Sequence, residues 1–169
     1  RLFRRGQAHL PCKTVHEQPV LKGQAGHLEN PLLHENYQTI SQFITRLNQY
    51  TENDKNLFLS ENKKIQWHDA IRFPTAEFLK RFFKQEGYRD GLHGLVLSIL
   101  QSFSSFVTFA KIWEAEGFKE VNEQDFLTKT QKELIKIVKE LKYWFLTAKL
   151  ENASNLAEKI WYRVLRKTN

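Results

Sequence analysis

The sequence contains no methionine, a single cysteine and no basic tail. The absence of methionine, position 1 included, predicts that Arg1 is an internal point of a longer polypeptide. Cys12 has no second cysteine with which to form an intramolecular disulfide, which is typical of a protein of the reducing cytoplasm. The first ten residues carry Arg1, Arg4 and Arg5 without a following apolar segment, so they do not indicate a secretory signal peptide.

Several motifs of self-contained enzymes are also missing. The chain has no His-Glu-x-x-His helix, no paired Cys-x-x-Cys, no Gly-x-Ser-x-Gly elbow and no glycine-rich phosphate loop ending in Lys-Ser/Thr. These absences argue against independent zinc, serine-hydrolase and nucleoside-triphosphatase chemistry. No recognisable nucleic-acid-binding motif accompanies the basic residues, so sequence-specific binding of nucleic acid is disfavoured.

What the sequence does contain is enough apolar material for a core and an excess of positive charge. With 41% hydrophobic residues, 169 residues can bury one sizeable core. The net charge of +7 favours anionic partners, such as phosphoanhydrides or the inner leaflet of a membrane. We therefore expect a cytoplasmic protein that can associate with the inner face of the cytoplasmic membrane.

The first third of the chain has the composition of strands and turns. Three of the four prolines and three of the seven glycines fall in the first 31 residues. The apolar runs predict the end of a strand at Leu2-Phe3-Arg4 and a second extended piece at Leu32-Leu33-His34. Two short strands are marginal alone, so we expect them to complete the sheet of an upstream α/β domain.

The remaining sequence shows helical periodicity. The first helix is predicted from about Tyr37 into the fifties, with Asn36 as its N-cap. A long helical stretch, either a helical hairpin or a coiled-coil-like arm, is predicted from Asn122 to the end of the chain. Asn152 and Ser154 are candidate caps for a separate last helix.

Two more helices are predicted between the first helix and the stretch that begins at Asn122, and glycine and proline set their expected limits. The second helix is predicted to begin near Ile65 or Pro74, with the proline in the first turn or at a kink, and to stop at Gly87. Asp90 is the expected N-cap of a third helix that ends before Gly117. The predicted fold is mainly α, a bundle of about four to five helices after a short strand and loop segment.

One helical segment is unusual in composition. From Leu92 to Ala110 there is no Lys, Arg, Asp or Glu, while Leu, Val, Ile and Phe supply a wide apolar surface. Interspersed His, Ser, Thr and Gln make the segment too polar for a typical transmembrane helix. The pattern favours a helix packed in a core or subunit interface, with a membrane surface and a membrane span as alternatives.

A resemblance to a known family rests on several short motifs. These are Arg1-Leu-Phe-Arg-Arg-Gly6, Thr14-Val-His-Glu17 and Pro31-Leu-Leu-His34, followed by a Gly-aromatic-x-Asp-Gly-x-x-Gly pattern from Gly87 to Gly94 that leads into the apolar helix. Together they resemble the end of bacterial family 2 glycosyltransferases, in particular those similar to the lipopolysaccharide core beta-glucosyltransferases. The resemblance covers roughly residues 1–114.

The resemblance implies a division of the chain. Residues 1–36 would be the end of the catalytic domain, 37–117 a helical C-terminal region, and 118–169 a long helix or helical hairpin. In such enzymes a doubly wound half with an Asp-x-Asp motif binds the nucleotide-diphospho-sugar and lies N-terminal to these segments. The chain alone would then be incomplete as an enzyme.

The resemblance also implies roles for particular residues. Glu17 would be the general base that deprotonates the acceptor hydroxyl. His34 would contact a divalent metal (Mg or Mn) or the diphosphate, and His16 is the substitute for either role. Guanidinium groups suit diphosphate oxygens, and the candidate partners are Arg1, Arg4 and Arg5. From the residues alone, the His-Glu pair is more typical of a solvated loop, and the arginines are equally consistent with a strand whose alternate members face solvent.

A group of basic and aromatic residues is a candidate membrane or subunit interface. Its members are Lys80, Arg81, Phe82, Phe83, Lys84, Tyr88, Arg89 and Trp113. A packed helical core would use the same aromatics, so both interpretations stay open. The alternative to the enzyme is accordingly a non-catalytic helical module for homo-oligomerisation or membrane attachment.

Overall fold

A computed structural model of the chain describes residues 3–10, 18–27, 29–30, 33, 37–121 and 124–167. The predicted mainly helical fold is confirmed: the described residues form five α-helices after a small antiparallel sheet. The chain divides into two compact units, Arg1–Lys63 and Lys64–Asn169, which we describe separately. The three-part division expected from the sequence stays a prediction.

The first unit contains a two-stranded antiparallel sheet. Strand β1 (Ala8–His9) pairs with strand β2 (Val20–Leu21), with Ala8 opposite Leu21 and His9 opposite Val20. The backbone N–H of Lys22 donates to the carbonyl of Gln7 (2.8 Å) and extends the pairing. Within this chain, β1 and β2 therefore form a sheet by pairing with each other.

The predicted strand positions are described only in part. Phe3, Arg4 and Leu33 are not paired in a strand within this chain, and the other residues of those two predicted segments lie outside the described residues. Arg4 leads into a turn, in which its carbonyl accepts from the N–H of Gln7 (3.0 Å) and Gly6 adopts a φ of 81°. Strand β1 follows that turn.

Helix α1 (Ile40–Ser60) is the helix of the first unit. It begins three residues after the predicted start because Thr39 is extended and acts as the N-cap, its Oγ1 accepting from the N–H of Gln42 (3.2 Å). Asn36, the predicted cap, lies outside the described residues. The buried side chains recur every four residues, as one helical face requires. They are Phe43, Leu47 and Thr51.

The second unit begins with two helices packed on each other. Helix α2 (Asp69–Leu79) leads through a π-helical turn (Lys80–Lys84) and a 3₁₀ turn (Gly87–Asp90) into helix α3 (Gly91–Ala115). Pro74 lies well inside α2 rather than in its first turn, and its carbonyl accepts a hydrogen bond from Ser102 Oγ of α3 (2.7 Å). The proline thus lies at the contact between the helices.

The turn before α3 differs from the predicted pair of caps. The left-handed conformation falls on Glu86 (φ 57°), not on Gly87, and the Asp90 side chain makes no capping hydrogen bond. Instead, Gly94 is explained by the close approach of its backbone to the backbone of Gly87. A Cβ on Gly94 would lie 1.8 Å from the carbonyl oxygen of Gly87. The end of α3 before Gly117 is as predicted.

Two further helices complete the second unit. Helix α4 (Phe126–Glu151) packs against α2 and the π-helical turn, and helix α5 (Leu156–Lys167) packs on α4. The cap of α5 is Asn155, whose Oδ1 accepts from the N–H of Glu158 (2.8 Å), rather than Asn152 or Ser154. The buried apolar side chains of this unit are Leu79, Phe83, Phe109, Ile112 and Leu146.

Candidate functional site

The arginines predicted to bind diphosphate lie at the start of the first unit. Arg4 and Arg5 are exposed in the turn that precedes β1. The Gln7 N–H donates to the Arg4 carbonyl (3.0 Å), which holds the backbone of the turn. Exposed guanidinium groups at such a turn can offer paired donors to phosphate oxygens. Arg1 lies outside the described residues.

The proposed catalytic and metal-binding residues cannot be placed. Glu17, His16 and His34 lie outside the described residues, so their roles stay predictions. Within the part of the chain that the structure describes, no three His, Cys, Asp or Glu side chains are grouped so as to hold a metal ion.

An aromatic cluster joins the π-helical turn to α4. Phe83 is 5% exposed, lies edge-on to Phe145 at 4.9 Å between ring centroids and stacks on Trp144 at 6.0 Å. Phe82 contacts Phe83 at 5.1 Å and Tyr88 at 6.2 Å. Three of the aromatics predicted at an interface thus contribute to packing inside the second unit, as the core interpretation expects.

The basic members of the same group lie on the surface beside this cluster. Arg81 Nε donates to Glu77 (2.6 Å), Lys80 Nζ donates to the same carboxylate (3.3 Å), and Arg89 pairs with Glu86 (2.8 Å). Burial raises the pKa of Glu77, but the hydrogen bonds from Arg81 and Lys80 outweigh it and leave the pKa below its usual value. Lys84 is exposed. Contact of these residues with a membrane stays a prediction.

Trp113, the last member of the group, lies near the end of α3. It is 39% exposed, and its Nε1 donates to the carbonyl of Lys119 (3.0 Å). Its ring meets that of Phe118 edge-on at 5.0 Å. Trp113 therefore ties the chain that leaves α3 back onto the helix while part of its ring faces solvent.

The outer face of α3 is apolar and exposed to solvent. Its side chains follow one another at spacings of four and three residues and are 39–76% exposed. They are Leu92, Val96, Ile99, Phe103 and Phe106. The stretch Gly87–Ala115 is long and apolar enough to cross a membrane, by length and composition alone, and 17% of its most apolar part is buried. One face of α3 packs in a core, as expected, while the opposite face is exposed.

An ion pair between a buried glutamate and an exposed arginine, which the sequence did not reveal, connects α2 to α4. Glu133 is 6% exposed and accepts hydrogen bonds from Arg72 Nε and from Lys136 Nζ (3.1 Å). The Arg72 hydrogen bond lowers the pKa of Glu133 to about 2, with a smaller contribution from Lys136 and against the effect of burial. The pairing of Glu133 with Lys136, three residues later, can be expected from the sequence, whereas its pairing with Arg72 of α2 cannot. Each carboxylate oxygen of Glu133 therefore accepts one charged donor, and the Arg72 hydrogen bond links α2 to α4.

Comparison with known proteins identifies one relative among curated proteins. The chain is 27% identical over 121 residues to the lipopolysaccharide core biosynthesis glycosyltransferase LpsC of Rhizobium meliloti (strain 1021). The match covers 70% of this chain and 45% of the relative, so the chain spans about half the length of LpsC. No protein-family profile matches. No solved structure matches either. The resemblance to lipopolysaccharide core glycosyltransferases is therefore confirmed, while assignment to family 2 stays a prediction.

Proposed function

We propose that this chain is the C-terminal portion of a family 2 glycosyltransferase of cell-envelope polysaccharide biosynthesis. The enzyme would transfer a sugar from a nucleotide-diphospho-sugar to a glycan or lipid-linked acceptor. The similarity to LpsC over 121 residues is the observation that supports this. Since the match covers 45% of LpsC, we propose that the parts binding the sugar nucleotide lie outside this chain.

The proposed reaction assigns one chemical step to this chain. The carboxylate of Glu17 accepts the proton of the acceptor hydroxyl while that oxygen forms a bond to the anomeric carbon. The bond from that carbon to the nucleoside diphosphate breaks, and the diphosphate leaves with the electron pair. A general base of this kind contributes typically about 10²–10⁴-fold to a rate. His16 is the substitute base if Glu17 does not reach the hydroxyl.

The remaining proposed contacts concern the leaving group. Exposed guanidinium groups at Arg4 and Arg5 suit the negative charge that develops on the diphosphate. Arg1 is the third candidate from the same motif, and His34 the proposed contact with a divalent metal or with the diphosphate. A divalent metal ion would supply charge neutralisation to the complete enzyme.

The test is Glu17→Gln in the full-length enzyme. We expect kcat to fall about 10²–10⁴-fold, because a carboxamide cannot take the proton, while binding of the sugar nucleotide is nearly unchanged. Glu29→Gln, an exposed carboxylate of the same segment, is the matched control and should leave kcat unchanged. Unchanged turnover in the Glu17 variant would refute the assignment of the base.

The second candidate is a non-catalytic module for homo-oligomerisation, and the outer face of α3 favours it. Alternating spacings of four and three exposed apolar side chains are typical of paired helices. If this face pairs two copies, light scattering of the isolated chain should report a dimer. A Phe103→Ser/Phe106→Ser variant should then be a monomer. A monodisperse monomer of the unmodified chain would count against this candidate.

A further inference from the structure

Helix α5 has one face turned toward α4. Arg166 lies over the ring of Tyr143, 5.4 Å from its centroid, and its Nη1 donates to Thr147 Oγ1 (3.4 Å). Tyr162 and Leu165, one turn apart on the same side of α5, are partly buried. Among the described elements, α5 packs on α4 alone. The opposite face of α5 is therefore left open.

That opposite face is apolar. In a helix with 100° between successive residues, positions 156, 157, 160, 161 and 164 lie on one arc. Their large side chains have exposed fractions between 51% and 72%. They are Leu156, Ile160, Trp161 and Val164. Exposing four large apolar side chains in twelve residues is costly in water, so this face has the properties of a binding surface.

Positive charge lies along one edge of this apolar arc. Helix α5 has four Lys or Arg residues against one Glu, and Arg163 and Lys167 lie at the edge of the arc and are exposed. Residues 124–167 contain ten Lys or Arg and five Asp or Glu, so they carry five of the seven net positive charges of the chain. The face thus combines an apolar arc, an aromatic side chain and a cationic border.

The nature of this surface distinguishes between possible occupants. A helix of twelve residues is too short to span a bilayer. An amphipathic helix with a basic polar face and Trp, Leu and Ile on the other face is typical of helices that lie in the plane of a membrane surface. Two copies of α5 facing each other would bring their cationic borders together, which disfavours pairing. The charge favours an anionic surface.

We propose that α5 binds the surface of an anionic phospholipid bilayer, lying in the membrane plane with Ile160 and Trp161 inserted. Arg163 and Lys167 contact lipid phosphates. This proposal concerns the isolated chain and does not depend on the glycosyltransferase function. It also places the membrane contact on α5, away from the basic and aromatic group between Lys80 and Trp113.

The test is co-sedimentation of the 169-residue chain with vesicles of phosphatidylcholine, alone or mixed with phosphatidylglycerol. We expect binding to the anionic vesicles, weakened by added salt because screening shortens the range of the charge attraction. Ile160→Ser/Trp161→Ser should lower the partition coefficient at least about tenfold, since it removes the two central apolar side chains from the membrane contact. Arg163→Gln/Lys167→Gln should reduce the preference for anionic over neutral vesicles.

The matched control is Ile40→Ser/Ile44→Ser on α1. These side chains are 56% and 43% exposed, close to the 53% and 60% of Ile160 and Trp161, so both double variants remove exposed apolar surface. The control variant should bind vesicles as the unmodified chain does. Ile99→Ser/Phe103→Ser, whose side chains are 52% and 48% exposed, tests the competing surface on α3. Circular dichroism should show that all three variants are folded.

Three results would overturn the proposal. The first is an unmodified chain that binds no anionic vesicles. The second is binding that is lost in the α3 variant and kept in the α5 variant, which would assign the membrane contact to α3. The third is a dimer in vesicle-free solution that the α5 double variant dissociates, which would show that a second copy covers this face.

Discussion

Replacement of Gly94 by alanine tests the tightest contact in the second unit. Gly94 is buried in the first turns of α3, and Ser98 Oγ donates to its carbonyl (2.7 Å). An added Cβ would lie 1.8 Å from the carbonyl oxygen of Gly87 and 2.7 Å from its carbonyl carbon. Both neighbours are backbone atoms, so no side-chain rotation can relieve the overlap.

The magnitude follows from two opposing effects. In an unobstructed helix, alanine is more stable than glycine by about 1 kcal/mol. Overpacking of a dense interior costs about 1–3 kcal/mol and sometimes more, and here α3 or the turn at Gly87 has to move by more than about 1 Å. Since α3 carries Ile112, which is fully buried, this displacement also loosens the core. Because the overlap is between backbone atoms, we take the upper end of the overpacking cost, about 3 kcal/mol, and expect a net loss of about 2 kcal/mol in the free energy of unfolding.

The assay is urea denaturation followed by circular dichroism at 222 nm, with thermal unfolding as a second measurement. A loss of about 2 kcal/mol corresponds to a fall of roughly 8 °C or more in Tm for a unit of this size. Gly26→Ala is the control, because nothing lies within 4 Å of its added Cβ and its φ is not left-handed. It should change stability by less than about 1 kcal/mol. A Gly94 variant as stable as the unmodified chain would refute the close approach of the two glycines.

Two further predictions concern the core and the ion pair of the second unit. Ile112→Ala should lower the free energy of unfolding by about 2–5 kcal/mol in urea denaturation, because the side chain is 0% exposed; a loss under about 1 kcal/mol would contradict its burial. The pKa of Glu133 lies near 2, below its usual value, so the pair with Arg72 stabilises the fold fully above about pH 5 and loses that effect as the pH falls toward 2. Glu133→Gln should therefore lower the urea midpoint much more at pH 7 than at pH 2.5, whereas the exposed Glu140→Gln should lower it at neither; a pH-independent difference would contradict this reasoning.

The sequence predicts long, periodic elements better than short ones. The limits of α3 follow from an uninterrupted apolar run with Asp90 before it and Gly117 after it, and the structure has the helix there. The pairing of β1 with β2 was missed because two-residue strands have no periodicity to read. Similarly, the Gly87 to Gly94 pattern was visible, but its cause is a contact between two backbones that caps alone do not predict.

The candidate site was predicted less completely than the fold, for a physical reason. Whether Phe83 faces a membrane or a core depends on the position of α4, whose contacting residue Phe145 lies 62 residues later in the sequence, and local composition is the same in both cases. The same holds for Glu133, whose burial is acceptable only because Arg72 reaches it. Interactions between distant segments decide these roles. Composition alone therefore left the membrane and core interpretations of the aromatic residues open and did not reveal the partner of Glu133.

The uncovered faces of α3 and α5 have different chemistry, and this separates the two proposals built on them. The face of α3 has no charged residue from Leu92 to Ala110, so a partner there needs to match shape and apolar surface alone. The face of α5 is bordered by Arg163 and Lys167, so its partner has to supply negative charge as well. Raising the salt concentration should therefore weaken an association through α5 and strengthen or leave unchanged one through α3, because screening acts on charge and not on apolar burial. Salt dependence measured on the Ile99→Ser/Phe103→Ser and Ile160→Ser/Trp161→Ser variants would assign each association to its helix, and an α3-dependent association that salt dissolves would contradict this distinction.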